Sequence, residues 1–215
     1  MSPYPLRLTG RLDEPLSRWH WLVKWLLALP HFILLAFLWI AFALLWLVAL
    51  FAILFTGRYP RGIFDFNVGV LRWTWRVSFY TYSALGTERY PPFGFEGEYP
   101  ADLQVDYPAS LSRGKVLIKW WLLALPQYLI VGVFVGAGYG IGLVGIIVLI
   151  SAVALLFTGR YPRSMFDLVM GANRWCYRVL AYAALMTDAY PPFRLDQGPE
   201  EPTHEAPIPG APVPA

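Results

Sequence analysis

Leu54-Phe55-Thr56-Gly57-Arg58-Tyr59-Pro60-Arg61 recurs letter for letter as Leu156-Phe157-Thr158-Gly159-Arg160-Tyr161-Pro162-Arg163. An eight-residue identity at that distance marks a duplicated unit, and a duplication fixes the organisation of a chain before any helix is assigned. Working outward, each copy continues into Phe-Asp (Phe64-Asp65, Phe166-Asp167). Gly69, Arg72, Trp73, Arg76 and Val77 then align with Gly171, Arg174, Trp175, Arg178 and Val179, and each unit closes on Tyr-Pro-Pro-Phe at 90–93 and 190–193. Upstream, Leu16-Ser17-Arg18 returns as Leu111-Ser112-Arg113. Lys24-Trp25 and the following Leu-Leu-Ala-Leu-Pro30 return as Lys119-Trp120 and Leu-Leu-Ala-Leu-Pro126, with one extra tryptophan. The chain therefore divides into a first repeat (1–95), a second repeat (96–194) and a Pro-rich tail (195–215).

Hydrophobic residues make up 57% of the 215 and charged residues 14%, and the mean hydropathy is +0.48, a composition too apolar for a soluble domain of this length. The apolar residues gather in two blocks, Trp25 to Phe55 and Trp120 to Phe157, where His31 and Gln127 are the strongly polar exceptions. Both blocks exceed the roughly 20 residues that one helical span needs. A cleaved signal peptide is not expected, because the first block is longer than an h-region of about 7–15 residues. Cys176 is the single cysteine, which excludes an internal disulfide and reads as a small buried hydrophobe.

With the Leu-Phe-Thr-Gly-Arg-Tyr-Pro-Arg strings, the Phe-Asp and Arg-Trp pairs behind them and the closing Tyr-Pro-Pro-Phe in view, the chain resembles a double-copy member of the bacterial membrane family described as domain of unknown function 4389. The resemblance runs from Tyr4 to Phe193. It implies a helical membrane protein and carries no activity, so no catalytic residue follows from it.

Each unit reads as a polar lead-in, a long apolar helix or helical hairpin, a basic turn, and an amphipathic Trp/Arg-rich helix: an all-α integral membrane protein of two tandem repeats. Thr56-Gly57 and Thr158-Gly159 predict the stop of the first helix, because glycine adopts the left-handed cap conformation and a proline follows. The second helix is expected just after Pro60 and Pro162. Asp65, Gly69, Arg72 and Arg76 fall on one helical stripe, as do Asp167, Gly171, Arg174 and Arg178. The rest of that helix is apolar and rich in Trp and Tyr, which predicts that it lies along the membrane interface. If it crosses instead, the protein has four spans, with two arginines in each second span at roughly 2.5–3.5 kcal/mol apiece on insertion scales. Basic residues flank both ends of each block (Arg18, Lys24 and Arg58, Arg61; Arg113, Lys119 and Arg160, Arg163), so the positive-inside rule predicts entry and exit on one side. Block two, with a glycine-rich middle, is long enough for a hairpin; for block one a shallow hairpin and a tilted, kinked helix both stay open. Pro30 and Pro126 are the natural kinks. The linker 87–110 is expected to be extended and exposed, and 197–215 disordered.

Candidate chemistry is sparse. Gly140-Ile-Gly142-Leu-Val-Gly145 fits a dinucleotide fingerprint but sits inside an apolar block, where no strand and polar helix mouth surround it. Gly132, Gly136 and Gly140, four residues apart, suit close helix packing or a turn. The basic set Arg58, Arg61, Arg72 and Arg76, with its copy Arg160, Arg163, Arg174 and Arg178, suits anionic headgroups through bidentate hydrogen bonds, and equally suits topology signals and snorkelling anchors. Asp65 and Asp167 read as partners of those arginines or as first-turn acids. His31 faces Gln127 in the alignment and reads as a tolerated polar side chain. His20, His31 and His204 lack metal-ligand spacing, so no metal or cofactor is expected. A net charge of +3 gives no footprint for nucleic acid. The expectation is a noncatalytic, multi-pass protein of the bacterial inner membrane. It serves as a scaffold or accessory subunit with a membrane-protein partner or a second copy, its halves related by a pseudo-twofold axis normal to the bilayer. The rival reading is a component that binds anionic lipid or transports a small solute through the repeated arginines.

Overall fold

The computed structural model describes residues 4–136 and 141–200; Gly140 and the tail from 201 onward lie outside these. The repeated octapeptide is a helix-to-helix turn in both copies. The long apolar helix α2 (Leu29–Thr56) ends on Gly57, whose φ of 73° is left-handed and whose amide donates to the Ile53 carbonyl at 2.7 Å. Gly159 repeats this at the end of α6 (Leu143–Thr158), with φ 72° and a 2.8 Å bond to Leu155. Pro60 and Pro162 are themselves extended, with ψ of 125° and 115°, and α3 (Arg61–Tyr80) and α7 (Arg163–Ala183) begin directly after them. Proline fixes φ and lacks an amide, which costs nothing at a helix entry.

The remaining elements are a strand β1 (Leu6–Gly10), a 3-10 turn at His20–Leu22, a short helix α1 (Lys24–Leu27), a second strand β2 (Ala101–Val105), α4 (Lys115–Ile118) with a π-turn at Lys119–Leu123, and α5 (Leu125–Val135). The described residues thus contain seven α-helices and a two-stranded antiparallel sheet, where an all-α protein was expected. The linker, expected to be extended and without a core, supplies β2, and its Ala101 and Leu103 are fully buried.

Pro30 and Pro126 sit in the first turn of α2 and α5 and do not kink a running helix. The sharp bend, 43°, lies just before Pro126, between Lys115–Leu123 and Leu125–Val135. Block two is not a hairpin. Gln127 and Phe134 of α5 meet Trp175 in the second half of α7, whereas Ser151 of α6 meets Met165 at its start. The path therefore runs one way along α7, as α2 runs along α3. α5 and α6 hold eleven and sixteen residues, one fewer together than the 28 of α2. Their buried positions Gln127, Val144, Ser151 and Leu155 match His31, Phe42, Ala49 and Ile53. On either side of residues 137–140 the chain comes close to itself: a Cβ on Gly142 would stand 2.3 Å from the Gly136 nitrogen. Gly136 closes α5 with its amide on Gly132, so these two glycines serve the turn.

The two repeats are joined about a pseudo-twofold axis. β1 and β2 are equivalent strands, and they pair antiparallel with Leu8 opposite its own counterpart Leu103. Beneath that pair, Trp75 and its counterpart Tyr177 stack edge to face at 5.4 Å. The turn of each repeat packs on the lead-in of the other: Leu111 donates to the Gly57 carbonyl at 2.9 Å, and Gly159 lies against Arg18.

α3 and α7, expected at a membrane boundary, are instead the centre of the molecule. Buried residues occupy both helices around most of their circumference, including Trp75, Phe79, Phe166 and Tyr182. On α3 the Arg72 and Arg76 stripe faces the sheet, Trp73 and Thr74 face α2, and Trp75 and Phe79 face α7. By contrast α2 is apolar and uncovered. Over its most apolar 18 residues, mean hydropathy is 2.8 and 17% is buried. Among the described residues it is the one unbroken helix long and apolar enough to cross a bilayer.

Candidate functional site

The eight repeated arginines were the candidates, and their positions on the turn and helix divide them into two sets. Arg58, Arg61, Arg160 and Arg163 are exposed. Arg61 pairs with Asp65 one helical turn on, at 3.2 Å, and lies over the Tyr107 ring. Arg163 reaches Glu14 at 3.2 Å. Arg58 and Arg160 form no ion pair among the described residues, and neither do Arg18, Arg113 and Lys115 at the same ends of the apolar helices.

The other four point inward, to backbone oxygens and carboxylates of the chain itself. Arg72 Nε donates to the Leu103 carbonyl of β2 at 2.9 Å, and its counterpart Arg174 Nε donates to the Leu8 carbonyl of β1 at 3.0 Å. Each repeat's helix thus holds the other repeat's strand. Arg76 donates to the Glu96 and Gly97 carbonyls at 2.9 and 2.8 Å, and burial lowers its pKa against the opposing pull of Asp102. Arg174 also takes the Asp196 and Gly198 carbonyls, and Arg178 binds the Asp196 carboxylate at 2.6 Å. A guanidinium presents five donors in one plane and suits several carbonyls at once. The segment 195–200, expected to be loose, is therefore held; Asp196 is 9% exposed.

A second repeated constellation escaped the sequence reading. Lys24 and Lys119, read as flanking charges, are each 1% exposed. Lys24 Nζ donates to the Thr87 carbonyl at 2.7 Å and faces Glu88 at 3.4 Å over the Tyr80 ring. Lys119 repeats the arrangement with Thr187 at 2.9 Å, Asp188 at 2.8 Å and the Tyr182 ring. The same carboxylates cap the lead-ins, accepting the Ser17 and Ser112 amides. Desolvation lowers the Lys24 pKa, with Glu88 pulling it back up. The signal was present in the sequence as Lys-Trp and Thr-acid pairs (Thr87-Glu88, Thr187-Asp188) recurring in both units.

His31 is not merely tolerated. Its Nδ1 accepts the Trp73 indole N–H at 3.0 Å, as Gln127 Oε1 accepts that of Trp175 at 2.7 Å, and Gln127 Nε2 donates to the Pro191 carbonyl. Both residue types carry an acceptor and a donor on opposite ends, which is why one replaces the other. Phe93 stacks on the His31 ring at 4.1 Å, so the closing Tyr-Pro-Pro-Phe seals the start of the apolar helix. The one free thiol, Cys176, is half-buried, and burial pushes its pKa up to about 12, the opposite of an activated nucleophile.

A groove of about 660 Å³ runs between α3 and the strand, lined by Arg7, Arg61, Asp65, Arg72, Glu96 and Asp106. Its charges are mixed and largely matched, with Arg7 on Asp106 at 2.7 Å. Among the described residues no three His, Cys, Asp or Glu side chains converge as metal ligands would.

The family described as domain of unknown function (DUF4389) matches the chain twice, over residues 18–94 and 118–194. Those stretches cover most of the length, and the chain belongs to that family as a double-copy member. No curated protein and no solved structure matches it.

Proposed function

We propose that this protein is a membrane-resident, noncatalytic scaffold or accessory subunit of the bacterial inner membrane. The observation that carries the reading is the uncovered apolar coat. Phe32, Ile33, Phe37, Ile40, Leu44, Leu47 and Phe51 of α2 are all exposed, as are Leu129, Val133, Ile146, Leu149 and Val153 of the second repeat. Soluble monomers rarely leave apolar patches of more than a few hundred Å² in water. The noncatalytic half of the reading rests on how the conspicuous polar groups are used: the inward arginines and both buried lysines are spent on carbonyls and carboxylates of the chain itself. What remains for a partner, another membrane protein or a second copy, is surface.

The test is fractionation of cells expressing the full chain. Membrane residence gives a protein that stays in the pellet through high salt and alkaline carbonate and is released by detergent. Recovery of monodisperse protein without detergent would overturn it.

A second reading, binding of anionic lipid, is favoured for the outward set alone, because Arg58 and Arg160, beside the ends of apolar helices, form no ion pair among the described residues. Replacing Arg58, Arg61, Arg160 and Arg163 with glutamine should reduce co-purification of anionic lipid. Undiminished lipid would remove this reading and leave the first intact.

A further inference from the structure

We infer that α2 and the α5–α6 pair lie flat within one leaflet of an anionic bilayer, so that the protein enters the membrane from one side and none of the described helices crosses it. The inference rests on membrane residence and replaces the multi-pass arrangement expected from the sequence.

Height along the pseudo-twofold axis decides the matter. Equivalent residues of the two repeats stand at the same height, and so do residues in contact. Gly57 bonds Leu111, whose equivalent is Leu16, so the end of α2 is level with the lead-in that precedes it. Trp46 packs edge to face on Trp120 with ring centroids 5.5 Å apart, and Trp120 is the equivalent of Trp25. Between Trp25 and Trp46 the chain travels about 30 Å at 1.5 Å per residue, yet both ends stand at nearly one height. α2 therefore runs across the axis, not along it.

The layers along that axis are polar above and apolar below. The sheet sits at the top, with Arg7, Thr9, Asp102 and Gln104 around the axial Leu8–Leu103 pair. α3 and α7 lie beneath, and α2 with α5 and α6 form the lowest layer. If α2 spanned the bilayer, the axis would lie in the membrane plane. The sheet would then stand at mid-depth with the half-exposed Arg7–Asp106 pair in hydrocarbon, a depth where charge is expensive. Such a placement would also send the cations near Gly57 (Arg58, Arg113, Lys115) to one membrane face and those near Gly159 (Arg160, Arg18) to the other, against the positive-inside bias.

With the axis along the normal, every constraint is met together. One layer of helices, about 10 Å thick, fits the roughly 15 Å of a single leaflet's hydrocarbon. The outward cations of both repeats come to one headgroup plane, where each near an anionic surface is attracted. Trp19 and Trp121, 65% and 48% exposed, fall at the lead-ins beside those cations, the depth that tryptophan favours.

The experiment uses the full chain with Cys176→Ser and single reporters. Spin labels at Phe32→Cys, Ala43→Cys and Phe55→Cys, exposed along α2, are read for depth by oxygen and aqueous-nickel collision in vesicles of phosphatidylethanolamine and phosphatidylglycerol. Arg58→Cys and Arg160→Cys are tested with an impermeant maleimide on intact cells and on inverted membranes. The flat seating gives one common depth for the three labels and reaction of both arginine positions from the same side. Labels deepest at Ala43 and shallow at both ends, with Arg58 and Arg160 reacting from opposite sides, would overturn it while leaving membrane residence standing. Failure of the chain to float with the vesicles would overturn membrane residence itself.

Discussion

At the scale of single residues, the same side-chain type does opposite work according to what its oxygen partners are. Arg178 and Asp196 are both nearly inaccessible, and removing one member of a buried pair strands the other, at a cost of roughly 3–5 kcal/mol. Arg178→Gln and Lys119→Ala should each lower the unfolding midpoint in detergent sharply, whereas Arg58→Gln and Arg160→Gln should stay within about 0.5 kcal/mol, as exposed substitutions do. Equal loss in both sets would contradict the division of the arginines into staples and surface cations. Tyrosine offers an independent check. Tyr59 and Tyr161, buried behind the turns, have pKa values pushed up by burial to about 12 from an ordinary value of about 10. A raised pKa means that the folded state holds the phenol proton more tightly. This stabilisation is complete below pH 10 and is lost as pH rises toward about 12. Absorbance at the phenolate band should therefore show a class of tyrosines that ionises only as the protein unfolds in that window; a single unshifted titration with the fold intact would refute the burial of these rings.

At the scale of elements, what is local in chemistry is what the sequence discloses. The left-handed glycine after Thr56 and Thr158, and the prolines that open α3 and α7, act within a few residues, so helix ends were legible from the octapeptide alone. An alanine at either glycine forfeits the left-handed cap at about 1 kcal/mol. Gly57→Ala and Gly159→Ala should cost about the same, because both lose the left-handed cap and the atoms nearest the new Cβ are the mobile ends of Arg113 and Arg18. Thermal unfolding of the two variants checks this, and a loss at only one of them would contradict the equivalence of the turns. The sheet was not legible. Leu6–Gly10 and Ala101–Val105 alternate inward and outward, but each is five residues long and shares one identity, Leu8 with Leu103, so neither periodicity nor repetition stands out. The arginine stripe was legible as a stripe, and its target was not. A headgroup phosphate and a cluster of backbone carbonyls are both oxygen acceptors, and a lone helix cannot tell which will cover it. The lysine sites failed for the same reason, since the acids that meet Lys24 and Lys119 lie more than sixty residues away.

At the scale of the whole molecule, the duplication builds an intramolecular version of a twofold dimer. In an isologous interface each contact occurs twice with the partners exchanged, and that is the pattern of Arg72 on Leu103 with Arg174 on Leu8, and of Arg113 beside Gly57 with Arg18 beside Gly159. Neither half is complete alone: the first repeat's α3 is roofed by β2, which belongs to the second, and β1 roofs α7 in return. The peptide between Gly97 and Glu98 is the place to test this, because both residues are exposed and the cut leaves the Glu96 and Gly97 carbonyls on Arg76 in the same fragment. Co-expressed fragments 1–97 and 98–215 should purify from detergent as a one-to-one complex that melts below the intact chain, since cutting the linker removes the effective concentration that tethering supplies. Each fragment expressed by itself should aggregate or be degraded, its inward arginines facing no strand. A stable, folded monomer of either fragment would mean that the strand exchange is dispensable. The apolar helices would then have to find their seat without the sheet above them, and the height relation that places α2 across the axis would lose its basis.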